Sequence, residues 1–207
     1  MILYIHPHAC SMAPHIALEE SGLEFDIDVV DLQTKKAISG LDFLTVNPKG
    51  FVPALALDND SGVVLTEVTT ILTYLADQVP DKNLIPKKNE LQRYEMMSLL
   101  SFISMDLHKN FSAFFYPEPI ERWKEISLEK MSRSFTYLNK LLTNKDFLLN
   151  DSFSIADMYL FVMLHWCDYF SMSLDKWPEI KRYKANIQQL ESVKKVLAIE
   201  SNLAIQS

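Results

Sequence analysis

The chain has 207 residues, a net charge of −7 and two cysteines, Cys10 and Cys167, far apart in sequence. That length suffices for one large domain or two small ones that bury about 70% of the surface the unfolded chain exposes, so neither a disulfide nor a metal is needed for stability. Two distant cysteines form no disulfide framework and fit a reducing compartment. An acidic balance without a block of lysine or arginine argues against nucleic acid, whose binding rests on neutralising phosphates. The residues from Met1 to Pro7 lack the basic region and long apolar core of a signal peptide, and the apolar stretch from Tyr159 to Trp166 is too short to span a bilayer. A cytoplasmic protein with no membrane partner is expected.

In chain order, Ile2 to Ile5 reads as a strand and Ser11 to Ser21 as a helix that Gly22 ends. Phe25 to Val30 alternates apolar and acidic residues, a second strand. Leu32 to Val46 predicts a loop with a short helix. Ala54 to Leu57 and Val63 to Leu65 flank Asp58-Asn59-Asp60-Ser61-Gly62, turn chemistry that predicts a hairpin. A helix from Glu67 to about Gln78 follows, closed by Pro80. The polar, aperiodic stretch 81–89 reads as a linker. Beyond it, Leu91 to Phe115 predicts one long helix, and Leu128, Met131, Phe135, Leu138 and Leu142 mark the buried stripe of the next. Ser154-Ile155-Ala156-Asp157 is a capping-box-like start to a helix, Ile155 to Phe170, that is apolar nearly all round. One or two helices follow Pro178. The order βαβ-(α)-ββα and then helices alone predicts two domains with separate cores, 1–80 and 90–207.

Cys10 stands between the first strand and the first helix, where unpaired amides and the helix dipole favour negative charge. Such placement can lower a thiol pKa from about 8.5 to roughly 3.5–7.5 and make it a reactive thiolate; the competing reading is a small buried apolar residue. Pro53 at the entry to a strand suggests an edge or bulge, and a cis Val52–Pro53 bond would expose the backbone groups of Val52 to a ligand. Thr66-Glu67-Val68 opens a helix after a strand, where amides form an anion site and Glu67 either accepts from an ammonium group or serves only as a first-turn carboxylate. Ser101, Ser104 and His108 fall at i−7, i−4 and i, one polar strip of an apolar helix. His6, His8 and Cys10 form an H-x-H-x-C pattern, but Pro7 and the helix start oppose their convergence, and no metal site is expected.

Together these pieces resemble the glutathione transferases, and most closely the bacterial beta class. The resemblance is carried by Cys10, Asn47-Pro48-Lys49-Gly50, Val52-Pro53-Ala54-Leu55 and Leu65-Thr66-Glu67, and by Tyr74-Leu75-Ala76-Asp77, Leu107-His108-Lys109 and Ser154-Ile155-Ala156-Asp157. It spans essentially the whole chain. It implies a thioredoxin-like glutathione-binding domain, an all-α helical bundle domain supplying much of the second-substrate pocket, a detoxifying role and a homodimer. Glutathione would be a co-substrate, with no tightly bound cofactor.

Carried over by position, Cys10 would face the glutathione sulfur and Lys35 a glutathione carboxylate. The Val52 backbone, next to Pro53, would pair with the cysteinyl moiety, and Glu67 and Val68 would hold the γ-glutamyl end. Ser101 and the run Met105, Asp106, Leu107 and His108 would line the remaining side, with Cys10 and His108 as catalytic residues. The family usually has serine or another small residue at Val68, and the beta class usually has asparagine at Ser101. Losing both hydrogen bonds would weaken glutathione binding roughly tenfold.

Phe111, Phe114, Phe115, Tyr116, Trp166 and Tyr169 would form an apolar or aromatic second-substrate pocket, although at least half are expected to fill the core. The reaction implied is conjugation of glutathione to small apolar electrophiles. Because Cys10-Ser11-Met12-Ala13 has no second cysteine, a side activity in thiol–disulfide exchange would follow a monothiol route. A non-catalytic stress or regulatory binding protein of the same fold is the alternative. Ser154 and Asp157 read as structural, and Cys167 as a packed core thiol.

Overall fold

The computed structural model describes residues 1–57, 62–118, 120–149 and 152–206, with side chains through residue 203. It divides into two compact units, Met1–Leu84 with Gln189–Ser207, and Ile85–Gln188.

The first unit is built on a mixed sheet of β1 (Ile2–Ile5), β2 (Asp26–Val29), β3 (Ala54–Ala56) and β4 (Val64–Thr66) in the order β2-β1-β3-β4. β1 pairs parallel to β2, Leu3 opposite Ile27, and antiparallel to β3, Leu3 opposite Leu55; β3 and β4 are antiparallel. The expected hairpin therefore exists as a strand pair, while its turn at 58–61 lies outside the described residues. The parallel pair requires a crossover, and α1 (Met12–Ser21) supplies it. Gly22 ends α1 at φ 74°, its N–H bonded to the Leu18 carbonyl, a left-handed cap that glycine adopts without strain. α2 (Phe43–Val46) is one turn, capped by Asp42 accepting from the Leu44 N–H. α3 (Val68–Gln78) follows β4, and a 3₁₀ turn occupies Pro80–Lys82.

One face of the sheet packs Tyr4, Val30, Ala37, Phe43, Val52 and Ala54 together. Leu3, Ile5, Ile16, Leu18, Ile71 and Leu75 are also fully buried in this unit. Each such Leu or Ile contributes about 1.5–3 kcal/mol relative to exposure.

The second unit is helical: α4 (Leu91–Phe102), a π-helical segment (Ile103–His108), α5 (Lys109–Phe115), α6 (Glu121–Leu141), α7 (Ile155–Tyr169) and α8 (Pro178–Ile187). The centre is α7, buried at every position from Ile155 to Leu164, in keeping with its all-round apolar sequence. Asp157 is buried and accepts from the N–H of Leu148 (2.8 Å), the N–H and hydroxyl of Ser154 (2.9 and 2.5 Å) and the hydroxyl of Tyr183 (2.8 Å). Along α6, Met131, Phe135 and Leu138 are buried as the stripe predicts, but Leu128 is exposed.

Three boundaries differ from the sequence reading. The expected domain 90–207 is divided, because α9 (Glu191–Gln206) packs on α1 and belongs to the first unit. The expected linker 81–89 is not solvated throughout: Leu84 is buried in the first unit, and the division falls after it. The single helix expected from Leu91 to Phe115 is interrupted by the π segment, whose i→i+5 hydrogen bonding breaks the 3.6-residue period on which the polar strip of Ser101, Ser104 and His108 was counted.

Candidate functional site

In the first unit, Cys10 lies in the turn between β1 and α1. Ser11 fixes this turn: its hydroxyl donates to the His6 carbonyl and accepts from the His6 N–H, both at 3.2 Å, while His6 Nδ1 stands 3.0 Å from the Val30 carbonyl. The half-buried Cys10 Sγ donates to the Val52 carbonyl oxygen at 3.4 Å. Burial pushes the thiol up to about 12, assisted by the carboxylates of Glu67 and Glu200. The N–H groups of Cys10 and Ser11 act in the opposite direction and are outweighed. Cys10 stands just before the helix start, and there desolvation raises the thiol by more than the helix amides lower it.

Val52 is buried beside Cys10, and its bond to Pro53 is cis. The loop before it is braced by buried Asn47, whose side chain donates to the Phe51 carbonyl (2.7 Å) and accepts from the Lys49 N–H (3.2 Å). Gly50 has φ 70°, and a Cβ there would meet Leu44 at 3.3 Å, so glycine fits both the conformation and the space.

Lys35, at φ 59°, donates from Nζ to the Gly50 carbonyl at 2.9 Å and lies over the Phe51 ring, 5.8 Å from its centroid. The turn before it is held by Asp31, which accepts from the N–H groups of Gln33 and Thr34 and from the Thr34 hydroxyl. These hydrogen bonds, that from Gln33 foremost, hold the Asp31 carboxyl below the usual range. Glu67 stands just before α3 at φ 70°, exposed, and pairs with the ammonium of Lys49, which also donates to the Thr66 hydroxyl at 2.7 Å. Val68 is buried at the first position of α3.

A brace in this unit had no sequence signal. Glu200 on α9 is fully buried; one carboxylate oxygen accepts from the His8 N–H at 2.6 Å and the other lies 2.8 Å from His15 Nδ1. His8 has φ 61° and precedes Cys10 by two residues. The partners are 192 positions apart, and no local pattern announces such a contact.

In the second unit, His108 and Trp166 line a cavity of about 210 Å³ with Ser112, Phe115, Tyr116 and Pro117. Trp166 stands edge-on to His108 (5.1 Å between ring centroids), Phe111 (5.3 Å) and Phe115 (4.8 Å). His108 Nδ1 lies 2.6 Å from the Tyr159 hydroxyl.

Of the six aromatic residues expected here, Phe115, Tyr116 and Trp166 line the cavity. Phe111 is a fully buried core residue, Phe114 packs against Phe170, and the exposed Tyr169 stacks on Phe115. Ser112 and Pro117 were not anticipated. Ser101, Met105 and Asp106 are exposed, whereas the Leu107 side chain is fully buried and offers a ligand only its backbone. Among the described residues no group of three or more His, Cys, Asp or Glu is placed to hold a metal ion, and no helix is long and apolar enough to cross a membrane.

Comparison with known proteins agrees in both units. Residues 9–78 match the family model for the glutathione S-transferase N-terminal domain, and residues 105–200 match that for the C-terminal domain. Glutathione S-transferase GstA of Escherichia coli O157:H7 is 37% identical over 200 residues, covering 97% of this chain and 98% of that protein. A bacterial beta class glutathione S-transferase from Sphingomonas chungbukensis is 44% identical with a TM-score of 0.91, covering 97% of this chain and 98% of its own. A sphingomonad glutathione S-transferase solved in complex with glutathione is 42% identical with a TM-score of 0.92, covering 97% and 99%. The chain belongs to the glutathione S-transferase family, an enzyme whose relatives include bacterial members, one of them of the beta class.

Proposed function

We propose that the enzyme conjugates reduced glutathione to small apolar electrophiles with an aromatic ring. The observation that carries this reading is the cavity of about 210 Å³ lined by the rings of Phe115, Tyr116, Trp166 and His108. A dry apolar cavity of about 150 Å³ accepts benzene, so this one suits a substituted single ring. For the first substrate, support comes from the glutathione complex of the sphingomonad relative. In this proposal Lys35 binds a glutathione carboxylate, the Val52 backbone the cysteinyl unit, and Glu67 with the Val68 N–H the γ-glutamyl end. Cys10 lies beside the glutathione sulfur.

The glutathione thiol releases its proton to solvent and attacks as thiolate. With a halonitroarene, the sulfur–carbon bond forms while the ring takes up the negative charge, and the halide then departs with the electrons of the carbon–halogen bond. A thiol at about 12 is a poor nucleophile at neutral pH, which favours conjugation over disulfide exchange through Cys10. With its one proton the Cys10 thiol donates to the Val52 carbonyl, and it would donate to a neighbouring sulfur anion only by giving up that bond. The same reading makes the protein a cytoplasmic, detoxifying homodimer, and the exposed Phe51 of the first unit and the exposed Tyr94 and Met97 of the second each support association. Turnover of a monocyclic halonitroarene with millimolar glutathione tests the proposal. A folded enzyme with no turnover and no calorimetric glutathione binding refutes it and favours a regulatory protein.

A further inference from the structure

We infer that Ser112 sets the substrate preference of the aromatic cavity. Its hydroxyl donates to a substrate oxygen on which negative charge builds, so halonitroarenes are favoured over benzyl halides of similar size. This rests on the cavity being the electrophile site. Ser112 is a half-buried residue of α5 that lines the cavity. It stands four residues after His108 and three before Phe115, a spacing that puts it on the side of the chain those two lining residues share.

A helical serine or threonine commonly turns its hydroxyl back to the carbonyl four residues before it. Thr73, Ser134 and Thr136 do so here, donating to the carbonyls of Thr69, Lys130 and Ser132 at 2.8–3.2 Å. Ser112 does not fold back onto the His108 carbonyl, and among the described residues its hydroxyl has no hydrogen-bond partner. Nor is it sealed in the core: it belongs to a cavity wall otherwise made of rings. The other hydroxyl of that wall, on Tyr116, is half exposed, with its ring edge-on to Trp123, so water competes for it.

A bound ring displaces the water that a wall hydroxyl holds, and a substrate oxygen in the same place restores the lost bond. An electrophile without such an oxygen leaves the hydroxyl to rotate back to the His108 carbonyl, so it is accepted but gains nothing. The two reactions differ in where the charge goes. When a thiolate adds to a halonitroarene, the negative charge passes to the nitro oxygens before the halide leaves. When it displaces a benzyl halide, the charge passes directly to the departing halide. A hydrogen bond to an ionised oxygen is about twice as strong as one to a neutral oxygen. The Ser112 bond therefore strengthens only in the first transition state, where it raises kcat, and its proton stays on the serine oxygen throughout.

Initial rates of the full-length protein with a monocyclic halonitroarene and with a benzyl halide test this, each at saturating glutathione. Ser112→Ala is expected to lower kcat for the halonitroarene about tenfold, to leave kcat for the benzyl halide within about twofold, and to leave KM for glutathione unchanged. Ser112→Thr keeps a hydroxyl and retains the wild-type ratio of the two rates within about threefold. Equal losses with the two electrophiles in Ser112→Ala overturn the inference. So does the absence of any loss there when Phe115→Ala still raises KM for both electrophiles, a result that leaves the cavity as the electrophile site. Unchanged kinetics with both electrophiles in both alanine variants overturn the reading of the cavity, and the role of Ser112 with it.

Discussion

The Cys10 thiol donates its hydrogen bond to the carbonyl oxygen of Val52, so two residues 42 positions apart hold each other at the mouth of α1. A thiol that donates is protonated, in line with burial pushing Cys10 to about 12. Alkylation of Cys10 by iodoacetamide is therefore slow at pH 7 and keeps rising through pH 10, since reactivity follows the thiolate fraction. The rate against pH, read by mass spectrometry of the Cys10 peptide, checks this. A plateau reached by pH 8 would mean that the helix amides outweigh burial after all. Cys10→Ala removes mixed-disulfide formation with oxidised glutathione but retains part of the conjugation.

The sequence carried β1 to β4 and α7 clearly, because alternation in Phe25 to Val30 and unbroken apolarity from Tyr159 to Leu164 each leave one packing solution. The location of Cys10 was legible for the same reason, as the strand–turn–helix pattern is local. Its ionisation was not, since it depends on burial in the folded unit and on the carboxylates of Glu67 and Glu200, distant in sequence. The assignment of α9 to the first unit depends on Glu200 meeting His8 and His15, and the π segment depends on a change of hydrogen-bond register that composition does not encode.

Glu67 already holds an ammonium group, that of Lys49. If Glu67 receives the γ-glutamyl ammonium of glutathione, Lys49 competes with the ligand for it. Lys49→Met then tightens glutathione binding roughly twofold to fivefold, the worth of an exposed ion pair, whereas Glu67→Gln weakens it. Titration calorimetry on both variants measures the two directions. Weaker binding in Lys49→Met would instead make Lys49 a ligand for glutathione.

Phe115 separates the two substrate sites experimentally. It lines the cavity, is half exposed, and packs edge-on to Trp166 and Phe170 at 4.8 Å each. Phe115→Ala is expected to raise KM for an aromatic electrophile by about tenfold at most, the worth of one aromatic contact, and to leave KM for glutathione unchanged. Initial rates with each substrate varied in turn give both constants. An equal rise in the two would show that Phe115 is not specific to the electrophile.

Asp157 carries more than a helix cap. A capping carboxylate alone is worth about 0.5–2 kcal/mol. Here the same side chain also accepts from the Leu148 N–H at 2.8 Å and the Tyr183 hydroxyl at 2.8 Å, tying the segment before α7 and helix α8 to the central helix. Asp157→Ala leaves two backbone N–H groups, of Leu148 and Ser154, buried without an acceptor, whereas the two hydroxyls can rotate to other partners. At about 1–3 kcal/mol for each orphaned donor, the variant loses roughly 2–6 kcal/mol of stability, and its Tm falls by roughly 5–20 °C. Calorimetric unfolding reads the loss, and kcat per folded molecule below the transition stays that of the wild type. A Tm drop under about 2 °C would mean that water replaces the carboxylate at both amides.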